Sequence, residues 1–322
     1  MTRTTLEQWQ QLDSRKVPTN GIELQVVEHG EGPAVVLCHG FPELGFSWRH
    51  QVPALAAAGH RVLVPDMRGY GGSSRPDRVE DYDVLTLCDD LVGLLDEAGL
   101  DDAVFVGHDW GASVVWQLAL AHPGRVRAVV GLSVPATRRS PVPPVQILRA
   151  RLGDDFYMCW FQEPGVADAV LAGDVHRSLT TDALSPAAAD AERAEGSTGD
   201  TDPSTPAPSR PWWGPEELEH YVTTFERTGF TGGLNYYRNL DRNWELTEHL
   251  EGRRITQPAM YLVGSEDPVA VFTPTTWLEK LCTDLRRIVV VPGAGHWIQQ
   301  ERPEEVTEAL LQFLRDLDDS GG

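Results

Sequence analysis

A chain of 322 residues with 41% apolar side chains can bury a sizeable core, as one large domain or as one domain with an insertion. Its formal charge of −21 repels polyanions, which argues against nucleic acid as a partner. No apolar run reaches the roughly 18 residues a membrane span needs, and the opening "MTRTTLEQWQQLDSRK" lacks the apolar stretch of a secretory signal.

In chain order, "IELQVVEH" (22–29), "PAVVLCHG" (33–40) and "RVLVPD" (61–66) read as strands. In "VLTLCDDLVGLLDEAG", Val84, Leu87, Leu91, Leu94 and Leu95 recur at helical spacing, and Gly99 supplies the stop. "DAVFVGH" (102–108) is a strand, "SVVWQLALAH" a helix closed by Pro123 and Gly124, and "VRAVVGLS" (126–133) a strand. "PAMYLVG" (258–264) and "LRRIVVVPG" (285–293) follow as strands, then the helix "PEEVTEALLQFLRDL", with Pro303 in its first turn. Near-continuous Val, Ile and Leu suits strands buried on both faces of a parallel sheet, so the alternation predicts an α/β fold.

The alternation breaks between about 137 and 250. "PVPPVQ" opens the interruption, and "DALSPAAADAERAEGSTGDTDPSTPAPSRP" (182–211) has the composition of a mobile loop. Aromatic-rich pieces flank it: "DDFYMCWFQEPG" before, "PWWGPEELEHYVTTF" and "GLNYYRNLDRNWEL" after. The expected organisation is a core in two parts, 1–136 and 251–322, with a largely helical lid, 137–250, over the carboxyl edge of the sheet, where open α/β sheets bind ligands. Cys38, Cys88, Cys159 and Cys282 lack CxxC or metal-ligand spacing. They read as buried thiols in a reducing compartment, which makes the expected location cytoplasmic.

"GHDWG" follows a buried strand and precedes a helix. It has the small-x-nucleophile-x-small form of a nucleophile elbow, with Asp109 at the tip. Asp267, in "YLVGSEDPV", follows the next-to-last strand, and His296, in "VVVPGAGHWIQ", follows the last. The order Asp109, Asp267, His296 is the nucleophile, acid, histidine order of α/β-hydrolases. Each residue has a plainer reading: helix N-cap for Asp109, turn aspartate before Pro268 for Asp267, surface loop for His296. The three together outweigh those readings.

An aspartate is already ionised at neutral pH and suits displacement at saturated carbon. The product is an ester on the protein, so the histidine would activate water, with Asp267 orienting it. The oxyanion formed on Asp109 then needs two N–H donors. Trp110 follows the nucleophile, and Phe41 lies in "HGFP" after the first core strand. The leaving group is a halide or an epoxide oxygen, and the oxygen needs an acid. Tyr157, Tyr236 and Tyr237 in the insertion can supply one or can simply pack.

With "HGFPELGFSWRHQ", "DMRGYGGSSRP", "GHDWGA", "WFQEPG", "LNYYRN" and "GAGHW" together, over residues 39 to 297, the chain resembles the α/β-hydrolase-fold epoxide hydrolases of the soluble group. The resemblance implies Asp109 as nucleophile, His296 as water-activating base and Asp267 as its acid partner. It further implies Tyr157 and Tyr237 as the acids that hold the epoxide oxygen, with Tyr236 as packing, and the backbone of Phe41 and Trp110 as oxyanion donors. It also implies a cis Phe41–Pro42 bond and a small-molecule epoxide as partner, with no metal and no cofactor. A homodimer is compatible with the sequence, which does not specify one. Met158 and Cys159 depart from the usual lid motif and would reshape the pocket.

Two rival readings share the fold. Haloalkane dehalogenases resemble this elbow but place asparagine after "HG", where this chain has Phe41; haloacid dehalogenases of the fluoroacetate type follow the nucleophile with arginine, where it has Trp110. A non-catalytic receptor of the same fold would not need the complete set of nucleophile, acid, base and tyrosine pair.

Overall fold

The computed structural model describes residues 4–181, 210, 212–271 and 275–319. Among them, β1 (Asp13–Thr19), β2 (Ile22–His29), β3 (Ala34–Cys38), β4 (Arg61–Pro65), β5 (Ala103–His108), β6 (Val126–Leu132), β7 (Ile255–Gly264) and β8 (Cys282–Val291) form one sheet in the order β1-β2-β4-β3-β5-β6-β7-β8. β2 pairs antiparallel with β1 and β4, and every other neighbouring pair is parallel. β3 and β5 are buried at every position, as their unbroken apolar sequences require.

The sequence reading overlooked β1. Its "DSRKVPT" is exposed until Val17, and Pro18, which cannot donate to a ladder, is tolerated because β1 is an edge strand. The Val84–Ala98 helix buries Leu87, Leu91, Leu94 and Leu95, and Gly99 ends it with φ of 68°. The Trp110–Ala121 helix is apolar on nearly all sides because it packs on both β5 and β6.

The register decides where the loops emerge. Cys38 pairs with Gly107, His108 with Leu132, Leu132 with Leu262, and Gly264 with Val291. The carboxyl ends of β3, β5, β6, β7 and β8 are thus level, and the segments that follow them leave from one edge.

The residues cluster into two compact units. The first, Met1–Arg75, Val84–Arg139 and Thr247–Gly322, contains the sheet. The second, Pro76–Asp83 and Ser140–Leu246, is helical, with helices Pro144–Leu152, Tyr157–Trp160, Val166–Gly173, Val175–Thr180, Pro215–Thr228, Thr231–Arg238 and Leu240–Leu246 among its described residues. Pro76–Asp83 joins it through Asn239, whose side-chain amide donates to Val79 O at 2.6 Å, and through Tyr82, whose ring lies 6.1 Å from that of Tyr236. The segment expected as a loop, 182–211, lies outside the described residues except for Arg210. No helix of the described residues is long and apolar enough to cross a membrane.

Candidate active site

β5 ends at His108, and the chain turns at Asp109 into the Trp110–Ala121 helix. Asp109 has φ of 52° and ψ of −117°, a conformation a non-glycine residue takes at a cost of about 1–3 kcal/mol. Its side chain makes no N-cap bond to the helix. Instead Oδ1 accepts from the Phe41 N–H at 2.8 Å, in the loop after β3, beside a cis Phe41–Pro42 bond. The close approach of these loops depends on small residues. A Cβ at Gly107 would lie 2.2 Å from Gly111 O, and one at Gly40 would lie 2.4 Å from Asp109 Oδ1.

His296, in the loop after β8, presents Nε2 to Asp109 Oδ2 at 3.6 Å and Nδ1 to both Asp267 oxygens at 3.1 Å. Asp267, only 4% exposed, also accepts the Val269 N–H through Oδ1 at 2.8 Å. Burial works against the charged form of all three groups. For His296 the flanking carboxylates of Asp109 and Asp267 outweigh it and push the imidazole up to about 10. For Asp109, the His296 imidazole and the Phe41 N–H outweigh it and hold the carboxyl below its usual range. Asp267 is likewise held low by His296. The resting arrangement is therefore an imidazolium between two carboxylates.

Trp110 opens the helix directly after Asp109 and is 8% exposed. Five of the residues singled out in the sequence, Phe41, Asp109, Trp110, Asp267 and His296, thus meet at one edge of the sheet. Tyr157 and Tyr237 belong to the helical unit and meet there, with ring centroids 5.8 Å apart at 77°. Phe161 packs against both, at 5.6 and 5.1 Å. Tyr236 turns instead to Tyr82 and is buried.

A family model of the alpha/beta hydrolase fold matches residues 33–303. Epoxide hydrolase A of Mycobacterium tuberculosis is 54% identical over 314 residues, which cover 94% of this chain and 98% of that one. The crystal structure of epoxide hydrolase A from Mycobacterium thermoresistibile is similar at a TM-score of 0.84 with 51% identity, covering 94% of this chain and 98% of that one. That of an epoxide hydrolase from Vigna radiata is similar at 0.85 with 35% identity, covering 98% of this chain and 100% of that one. The chain belongs to the epoxide hydrolases of the α/β-hydrolase fold.

In this epoxide hydrolase Asp109 and His296 rest on buried polar groups that sequence reasoning missed. His108, one residue before Asp109, bonds through Nδ1 to Glu43 Oε2 at 2.7 Å and donates from Nε2 to His296 O at 2.8 Å. Gln300 donates to Glu43 Oε1 at 2.8 Å, and Gln299 donates to it at 3.1 Å. Burial raises the Glu43 carboxyl, but His108 outweighs it and holds Glu43 low. Ser133, at the end of β6 with φ of 65°, adds a second donor to His296 O at 2.6 Å. The "HGFPE" and "GHD" motifs contained two of these residues. Their pairing spans 65 positions and leaves no local pattern to read.

Proposed function

We propose that this epoxide hydrolase opens its substrate by attack of the Asp109 carboxylate on a ring carbon, and then frees itself by hydrolysis of the resulting ester. The helical unit acts as the lid, and Tyr157 and Tyr237 donate to the epoxide oxygen as it takes on alkoxide character. The reading is carried by one observation: Asp109 is held between the Phe41 N–H at 2.8 Å and the His296 imidazole at 3.6 Å, with nothing drawing its side chain into a helix cap.

The charges suit this order of events. In the resting state His296 is protonated, since two carboxylates flank it. Ester formation neutralises Asp109 and leaves Asp267 as the one carboxylate beside the imidazole. The proton is then held less tightly and passes through solvent to the tyrosinate left when a tyrosine protonates the opened alkoxide, so Nε2 becomes a base only once there is an ester to hydrolyse. It takes a proton from water, and the hydroxide adds to the Asp109 carboxyl carbon. The N–H groups of Phe41 and Trp110 hold the oxyanion. Its collapse breaks the ester C–O bond, and the departing alkoxide takes the proton of the new Asp109 carboxyl. A vicinal diol departs, leaving Asp109 ionised and His296 protonated as at the start. The free, buried state of all four cysteines supports the cytoplasm as the working compartment.

A single turnover with enzyme in excess, run in heavy-oxygen water, tests the reading. The label should enter the Asp109 carboxyl and be found in the peptide that carries it, while the diol stays unlabelled. Label in the diol alone would mean that water attacks the epoxide directly, and the covalent route would be wrong.

A further inference from the structure

We propose that Glu301 is a positioning residue for His296, gripping the backbone on both sides of the base and so setting the distance from imidazole to nucleophile. The proposal rests on the role given to His296 above. The Gly295 N–H donates to Glu301 Oε2 at 2.7 Å, and the Trp297 N–H donates to Oε1 at 2.9 Å. One carboxylate therefore takes the amide before the histidine and the amide after it, a two-pronged charge-assisted contact. The half-buried Glu301 can reach back because it closes the short Ile298–Glu301 helical turn, with its own N–H donating to Trp297 O at 2.9 Å. Position 295 is matched to it, since a Cβ there would lie 3.1 Å from Glu301 Oε1 and 3.3 Å from Oε2.

The grip completes a cage. His296 O accepts from Ser133 Oγ at 2.6 Å and His108 Nε2 at 2.8 Å, so both polar faces of this piece of main chain are held. The imidazole needs that support. It is bonded to Asp267 at 3.1 Å but stops 3.6 Å short of Asp109, too far for a hydrogen bond to fix it, while opposite charges draw the two together. A rigid backbone keeps the ring from sliding onto the carboxylate and leaves it able to serve a water at the ester. Ring opening needs Asp109 and an acid; ester hydrolysis needs His296 in place. Glu301 should therefore matter to the second step and spare the first.

Single-turnover quenched-flow kinetics on the full chain, with the alkyl-enzyme counted by mass spectrometry, separate the steps. In Glu301→Ala, ester hydrolysis should slow by at least about tenfold, the scale of a small misplacement of a catalytic group, while ring opening stays within about twofold. Ester should then accumulate during steady turnover. Glu301→Gln should fall between, because its amide oxygen accepts one N–H and its NH2 cannot accept the other. Rates are taken per active site from the burst amplitude, so loss of folded enzyme does not alter the ratio of the two steps; where Glu301→Ala does not fold, Glu301→Gln carries the test. An unchanged ratio in the tested variant overturns the proposal. His296→Gln serves as the reference. If that variant builds up ester while the Glu301 variant keeps the normal ratio, Glu301 alone is misassigned. If it builds up none, the assignment of His296 as base fails first.

Discussion

His296 Nε2 stands 3.6 Å from Asp109 Oδ2, and each favours the charged form of the other. Burial opposes both charges, so the pairing must outweigh desolvation to hold them. The consequence for stability has a definite sign. His296 is raised from 6.5 to about 10, so its contribution is complete below about 6.5 and is lost as pH rises through about 10. Asp109 is lowered from 3.8, so its contribution is present above that value and is lost as pH falls. The pair therefore stabilises the fold most between roughly pH 4 and pH 6.5.

Asp109→Asn should move the His296 titration downward, since one of its two flanking carboxylates is gone. Histidine ring signals followed by NMR against pH measure the shift directly. The same change mimics the proposed neutral ester, so the size of the shift reports how far the proton would be loosened by its formation. A His296 titration that stays where it is in the parent enzyme would show that Asp109 does not govern the base.

Much of this arrangement was legible in the sequence for a simple reason. Asp109 directly follows the buried β5, Asp267 follows the largely buried β7 by a short turn, and His296 follows β8, an edge strand rich in Val and Ile. Parallel strands with level ends deliver their loops to one edge. Glu43 and His108 were not legible as partners, because a hydrogen bond between residues 65 apart has no spacing signal. β1 was missed because an edge strand with one proline and four leading exposed residues shows no apolar alternation. Pro76–Asp83 precedes a helix of the sheet unit, yet its packing is decided by Asn239 and Tyr236, about 160 positions on.

Gly40→Ala should disable Asp109 as the proposed nucleophile. The added methyl carbon would lie 2.4 Å from Asp109 Oδ1 and equally close to Asp109 Cβ, so the carboxylate must leave the Phe41 N–H. Overpacking of this kind costs about 1–3 kcal/mol of stability, which leaves a folded protein to assay. Ring opening should fall by about 100-fold, since a reacting group displaced by about 1 Å loses its line of attack. Stopped-flow fluorescence under single-turnover conditions gives the rate. Normal ring opening in this variant would mean that Asp109 attacks from some other placement.

The tyrosine pair offers a clean removal of chemistry without removal of packing. Tyr157, Tyr237 and Phe161 make a three-ring cluster with centroid separations of 5.1 to 5.8 Å, so Tyr→Phe keeps every ring and deletes only hydroxyls. Each single variant should slow ring opening, because the remaining phenol can still donate to the epoxide oxygen. The double variant Tyr157→Phe, Tyr237→Phe should lose about 10²- to 10⁴-fold, the range general acid catalysis supplies. Its ester hydrolysis, which calls on His296 and not on the phenols, should be near normal once the slow alkylation has occurred. Thermal denaturation checks that the cluster is intact, and quenched-flow kinetics read the two steps. If the double variant opens the epoxide at the parent rate, the acid lies elsewhere and the aromatic cluster of the helical unit is packing alone.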